Sequence, residues 1–121
     1  MSMGYYTSYN MDVNNVKSQA EHEAILDKLH ELNVIGYALD VGYWSERSKS
    51  SSFYSYDEAK WYDHDADMLE ISKQFPEMTF KLTGVGEDDD DRWYTLYRNG
   101  EFETIQAVVT WPEPEKIEWK E

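Results

Sequence analysis

Five consecutive carboxylates form the most conspicuous chemical feature of the chain: Glu87, Asp88, Asp89, Asp90 and Asp91. Three interpretations of this run are open: a solvated turn that aids solubility, a divalent-cation site, and a contact surface for a basic partner. Calcium takes oxygen ligands from a loop that folds around the ion, but the regular spacing of an EF-hand is missing here. This departure weakens the metal interpretation relative to the other two.

Further acidic residues concentrate in the second half of the chain. Residues 61–121 carry 16 acidic and 6 basic side chains, whereas residues 1–60 carry 9 and 5. The excess includes three aspartates at the start of a predicted helix, Asp63, Asp65 and Asp67. If the fold brings them next to the run at 87–91, the resulting negative surface would be attracted to the cationic groove of a partner. It would then occupy a site that normally binds phosphates. Many acidic proteins have no such partner, and that alternative stays open.

A second candidate contact surface is aromatic. The chain has 10 tyrosines and 5 tryptophans, too many for all of them to be buried together, and both residue types are enriched where protein interfaces gain most of their binding energy. Trp61, Trp93 and Trp111 lie in predicted strands and are expected to anchor the core. We expect exposed aromatic residues on both sides of the serine-rich segment 45–52, unless this segment is only a mobile loop: Tyr43, Trp44, Tyr54 and Tyr56.

Residues suited to catalysis are scarce. Cysteine is absent, which excludes disulfides, thiol catalysis and metal sites built on thiolates. No nucleophile-elbow, zinc-protease or phosphate-binding glycine motif occurs. His22 and His30 lie on the first predicted helix and are expected to be exposed, and His64 is assigned a capping or surface role. We therefore predict a protein that is not an enzyme and has no cofactor.

The composition bounds the class of the protein. A chain of 121 residues holds one domain, and its 16% aromatic share is typical of a packed fold. The formal net charge of −14 argues against direct binding to nucleic acid or to an anionic membrane, because each phosphate contact needs a cation.

Residues 1–10 lack the basic and apolar regions of a signal peptide, and no apolar stretch approaches the roughly 20 residues of a membrane span. A cytoplasmic location is therefore expected.

The helices are predicted from capping signals and apolar spacing. Ser18 and Glu21 match a capping box, and a stripe of apolar residues continues the first helix to about residue 33. Asp63 suits the N-cap of a second helix, which Pro76 ends. The dipeptide at 99–100, Asn-Gly, predicts a hairpin, because a type I′ turn needs positive φ at both positions.

The strands are predicted from β-branched and aromatic residues in alternation: residues 4–13, 53–61, 79–83, 92–98 and 101–111. Residues 34–43 are ambiguous, residues 45–52 are predicted as a mobile loop, and residues 112–121 as a loose acidic tail. The order β-α-β-α-β-β-β predicts an α+β two-layer sandwich, with two helices on a mostly antiparallel sheet of about five strands. The closest named architecture is ferredoxin-like with an added hairpin.

Several short motifs follow one another in the second half of the chain: Trp61, residues 69–76 (LEISKQFP), residues 79–82, residues 84–87 (GVGE) and residues 93–100 (WYTLYRNG). In this order they resemble the YubB-type ferredoxin-like domain of phage and mobile-element proteins, over roughly residues 53–110. The resemblance implies the fold and a phage or prophage origin. It implies no catalytic residues and no activity.

These observations together predict a small non-enzymatic inhibitor of phage type. It would bind the basic surface of a host nucleic-acid-handling protein, such as a CRISPR effector or a restriction enzyme, through an acidic surface that mimics DNA. Two other classes of function stay open. One is a domain that binds a small ligand or a divalent metal, and the other is a self-associating structural or accessory component of a phage particle.

Overall fold

The computed structural model describes residues 6–87 and 91–107. Eight elements follow one another in these ranges: β1 (Ser8–Asn14), α1 (Gln19–Glu31), β2 (Tyr43–Ser45), β3 (Ser50–Phe53), α2 (His64–Gln74), β4 (Thr79–Val85), β5 (Arg92–Arg98) and β6 (Glu101–Gln106). The sheet therefore has six strands, where about five were predicted. No helix in the described ranges is long and apolar enough to cross a membrane.

All six strands join one antiparallel sheet in the order β2-β3-β1-β4-β5-β6. The first strand of the chain therefore lies inside the sheet, between β3 and β4. The hairpin of β5 and β6 extends the sheet beyond β4. This arrangement confirms the predicted α+β class with two helices on an antiparallel sheet.

The core lies between the two helices and one face of the sheet. On β1, the alternate residues Tyr9, Met11 and Val13 are buried, and they belong to one cluster with Ile25 of α1 and Ile71 of α2. On the opposite face, Asp12, Lys81 and Leu96 are paired across neighbouring strands and are exposed. One face of the sheet is thus covered and the other is open.

Local signals in the sequence set the ends of several elements correctly. The Ser18 hydroxyl accepts a hydrogen bond from the Glu21 backbone N–H at 3.2 Å, and the Glu21 carboxylate accepts one from the Lys17 N–H at 2.6 Å. Asn99 and Gly100 have φ values of 47° and 82°, as the predicted hairpin turn requires. The Gly100 N–H also donates to the buried Ser72 hydroxyl at 2.9 Å, which ties this hairpin to α2.

The serine-rich segment 45–52 is not the predicted mobile loop. Most of it belongs to the hairpin of β2 and β3, in which Ser51 pairs with Trp44 and Ser52 with Tyr43. Ser51 is fully buried beneath α1, and Ser52 donates to the Asp12 carboxylate of β1 at 3.0 Å. The prediction was wrong because the fold gives these hydroxyls partners that lie far away in the sequence.

The strand predicted at 53–61 is wrong beyond Phe53. Residues 54–61 are irregular and are held by isolated bridges of Ser55 with Leu39 and of Ala59 with Thr7. Thr7 and Ala59 exchange two backbone hydrogen bonds, at 3.0 and 2.9 Å. The aromatic alternation in this segment reflects exposed tyrosines rather than a half-buried strand. Of the other predicted strands, residues 4–5 and 108–111 lie outside the described residues, as does the predicted tail at 112–121.

His22 is buried rather than exposed. Its side chain faces the sheet, where the ring stacks on Phe53 with centroids 5.0 Å apart. Its Nδ1 atom lies 2.8 Å from the Ser51 hydroxyl oxygen. Burial lowers the pKa of His22, because the low-dielectric surroundings disfavour the charged form. His30 is exposed, as expected.

Mild acid is expected to destabilise the fold through His22. Its pKa is lower in the folded than in the unfolded chain, so the unfolded chain binds the proton more tightly. The contribution of His22 to the free energy of unfolding should therefore be fully present above the unfolded pKa of about 6.5 and should decrease as the pH falls below it. Urea denaturation between about pH 7 and about pH 5 measures this slope. His22→Gln should reduce the slope and His30→Gln should keep it, whereas equal slopes in wild type and His22→Gln would contradict the assignment.

Candidate functional site

A cavity of about 270 Å³ opens where the beginning of β1, the beginning of α2 and the turn before β5 meet. Four of its lining residues are aromatic, and a histidine, a lysine, a threonine and a carboxylate complete it: Thr7, Tyr9, Lys60, Trp61, Tyr62, His64, Asp91 and Trp93. This volume is below the range that is usual for sites of drug-sized ligands, so it suits one side chain or one small ion.

Backbone hydrogen bonds bring the walls of the cavity together. The bridge between Thr7 and Ala59 holds the segment that carries Lys60, Trp61 and Tyr62 beside β1. On the other side, the Gly86 N–H donates to the Asp91 carbonyl at 2.8 Å, which closes the turn between β4 and β5. Residues that are far apart in the sequence therefore meet at one end of the molecule.

A cluster of aromatic rings forms the inner wall. A Cβ atom on Gly84 would lie 2.3 Å from the Trp93 ring, so the ring rests directly on the backbone of β4. The His64 ring stacks on Trp93 with centroids 5.0 Å apart and an angle of 23°. Tyr9 contacts the rings of both Trp61 and Trp93 at 5.3 and 6.2 Å. These contacts fix the first residue of α2 against β5.

Two of the three aspartates predicted for partner binding contribute to the fold. The Asp65 carboxylate accepts a hydrogen bond from the Tyr97 hydroxyl, and the Asp67 carboxylate accepts one from the Trp61 indole N–H at 2.8 Å. Burial and the Asp65 carboxylate raise the pKa of Tyr97. Asp63 occupies the predicted N-cap position, but its side chain makes no capping hydrogen bond and is exposed.

The acidic run reaches the same cavity. Asp88, Asp89 and Asp90 lie outside the described residues, and Glu87 accepts a hydrogen bond from the Tyr6 N–H at 2.9 Å. Asp91 lines the cavity together with Tyr62 and His64, the two neighbours of Asp63. Among residues 6–87 and 91–107, no side chain forms an ion pair with the Asp91 carboxylate. The start of α2 and the end of the run are thus adjacent, which is the arrangement that the partner hypothesis requires.

The predicted aromatic surface is separate from this cavity. Tyr43 and Tyr54 are 53% and 49% exposed, their hydroxyl oxygens are 2.7 Å apart, and Tyr56 is also exposed. Trp44 differs from them, since its ring packs against the core and its indole N–H donates to the Val16 carbonyl at 2.8 Å. Three of the four residues are thus available for contact, and Trp44 is mainly structural. None of the four lines the cavity at the start of α2.

Two other kinds of chemistry have little support in the described part of the chain. Within it, no group of three histidine or acidic residues is placed to hold a metal ion. His22 and Ser51 have the spacing of a base and a nucleophile, with Nδ1 and the hydroxyl oxygen 2.8 Å apart. However, Ser51 is fully buried, so a substrate would reach its oxygen only by opening the core.

Comparison with known proteins adds no relative: no family model, no curated protein and no solved structure matches this chain. The interpretation of the cavity therefore depends on its own geometry. Sequence reasoning missed Thr7, Tyr9, Lys60 and Tyr62 as members of the site. The one signal in the sequence was the adjacency of Tyr62 to the acidic start of the second helix.

Gly84→Ala is expected to displace the Trp93 ring and so disturb the whole aromatic cluster. The added methyl group would overlap the ring, and such overpacking costs about 1–3 kcal/mol of stability. The indole N–H resonance of Trp93 and the ring resonances of His64 should move in the NMR spectrum. Gly36→Ala is the matched control, because its φ of +79° strains the backbone while nothing lies within 4 Å of the new methyl. It should lower stability without moving these resonances. Unchanged Trp93 resonances in Gly84→Ala would refute the packing.

Proposed function

We propose that this protein is a non-enzymatic inhibitor that binds the basic surface of a nucleic-acid-handling protein through its acidic end. The acidic end is defined by the cavity with Asp91 and by the exposed carboxylates beside it, Asp63 and Glu87. The observation that carries the proposal is that Asp91 lines the same cavity as Tyr62 and His64, the two chain neighbours of Asp63, although Asp63 and Asp91 lie far apart in the sequence. A partner that binds phosphates presents arginine and lysine side chains, which such a surface attracts.

The electrostatics of the acidic end favour this type of partner. The chain carries a formal net charge of −14, and its excess of acidic residues lies in the second half. The Asp67 carboxylate accepts a hydrogen bond from an indole N–H, which is a neutral donor, so its charge is not neutralised. This charge adds to the field of Asp63 and Asp91. Such a field raises the rate of association with a cationic partner at low ionic strength.

The acidic end is also rigidly supported. The stacking of His64 on Trp93 and the contact of Trp93 with Gly84 hold α2 and β5 together at the cavity. A surface that is ordered before binding loses less conformational entropy when a partner docks. This support favours a protein interface over a turn that serves only solubility.

The topology supports the finer architecture. The first six elements run β-α-β-β-α-β, and their four strands lie in the order β2-β3-β1-β4. We infer a ferredoxin-like domain to which the hairpin of β5 and β6 is added. This architecture agrees with the YubB-type resemblance, and with it we propose a phage origin and a role in the cytoplasm of the host cell.

The experiment is a DNA-cleavage assay with a panel of purified CRISPR effector nucleases and restriction endonucleases. The double variant Asp63→Asn and Asp91→Asn should weaken inhibition of a susceptible nuclease about tenfold, and added salt should weaken inhibition by wild type. Asparagine keeps the N-cap preference at residue 63. The charge-matched control changes two exposed residues of α1, Glu23→Gln and Asp27→Asn, and should inhibit like wild type.

Two results of this assay would overturn the proposal. One is the absence of inhibition across the panel. The other is an inhibition that both double variants weaken equally, because it would assign the effect to net charge alone and not to the acidic end.

A further inference from the structure

The cavity at the acidic end has the features of a receptor for one planar cation. We propose that it binds the guanidinium group of an arginine side chain that the basic partner presents. This inference rests on the proposed function, because it names the group on the partner that the acidic end recognises. The argument uses the carboxylate of Asp91, the ring of Tyr62 and the size and lining of the cavity.

Asp91 supplies the charge that a cation requires. Its side chain is half-buried at the cavity, and no cation of the described chain pairs with it. A carboxylate in such surroundings is incompletely hydrated and lacks a counter-ion. Its attraction for an incoming cation is therefore stronger than that of a fully solvated aspartate. A guanidinium group can donate two parallel hydrogen bonds to one carboxylate, which adds geometric specificity to the attraction.

Tyr62 supplies an aromatic ring that is still accessible. It is 69% exposed, whereas Trp61 is buried and the Trp93 ring is already in contact with His64 and Gly84. The planar guanidinium stacks on aromatic faces and is more weakly hydrated than an ammonium group. An arginine side chain is therefore expected to bind better than a lysine side chain in a cavity whose lining is largely aromatic.

The neighbouring Lys60 does not occupy the proposed position. Its ammonium nitrogen lies 4.7 Å from the centroid of the Tyr6 ring, in a cation–π contact. In this contact an aromatic ring at this end of the molecule already binds a cation. Lys60 is not paired with the Asp91 carboxylate, which is therefore left for a cation of the partner. The cavity of about 270 Å³ holds a single side-chain head group rather than a large ligand.

The test is an NMR titration of the whole protein with N-acetyl-L-arginine amide. Saturable shifts are expected in the amide resonances of Thr7, Tyr62, His64 and Asp91 and in the ring resonances of Tyr62 and His64. N-acetyl-L-lysine amide should bind more weakly, and N-acetyl-L-citrulline amide, which has the same shape without the charge, should produce no saturable shifts. Non-saturable shifts with arginine, or equal affinity for the three probes, would overturn the inference.

Two pairs of variants assign the binding to the cavity. Asp91→Asn should weaken arginine binding about tenfold, the loss typical of a charged hydrogen-bonded contact, while Glu23→Gln should not change it. Tyr62→Ala should weaken binding severalfold, while Tyr56→Ala, which removes a tyrosine of similar exposure elsewhere, should leave it intact. Equal effects within either pair would contradict the assignment.

The outcome separates this inference from the proposed function. If arginine amide fails to bind while a nuclease is inhibited through Asp63 and Asp91, the acidic end acts as a diffuse negative surface and the guanidinium site is wrong. If arginine amide binds at the cavity while no nuclease is inhibited, the site stands and the proposed function is wrong.

Discussion

The contact between the Trp93 ring and the bare backbone of Gly84 is the constraint on which the acidic end depends. Because Gly84 has no side chain, the ring can lie directly on β4, where a Cβ atom would come within 2.3 Å of it. The ring then offers a surface on which His64 stacks, and His64 is the first residue of α2. One missing side chain thus sets where the second helix begins relative to the fifth strand, and with it where the aspartates of that helix lie.

The acidic residues of this region divide into two roles that their types alone do not reveal. Asp65 and Asp67 accept hydrogen bonds from Tyr97 and Trp61, which hold α2 against β5 and against the segment that precedes the helix. The side chains of Asp63 and Asp91 accept no comparable hydrogen bond within the described residues. Asp91 lines the cavity, and Asp63 lies between two residues that line it, Tyr62 and His64. Within residues 63–67, one carboxylate is left for contact and two hold the fold, and only the tertiary structure distinguishes them.

Local information in the sequence predicts the helices and the last hairpin well. The Ser18 capping box, the stop at Pro76 and the Asn99–Gly100 turn act over a few residues, and the predicted bounds of β5 agree with those observed.

Burial of a polar residue depends instead on distant partners. Ser51 is buried because His22 covers it, so neither the β2–β3 hairpin nor the burial of His22 could be read from the serine-rich segment. The cavity was missed for the same reason, since the register of the sheet and the bridge between Thr7 and Ala59 assemble it.

A crystal structure of the protein grown with N-acetyl-L-arginine amide tests the central claim most directly. The guanidinium group is predicted to lie in the cavity at the start of α2, with its nitrogen atoms within hydrogen-bond distance of the Asp91 carboxylate and its plane against the Tyr62 ring. An empty cavity at saturating ligand, or an arginine held only by carboxylates elsewhere on the surface, would contradict the claim that this end of the molecule recognises a basic side chain.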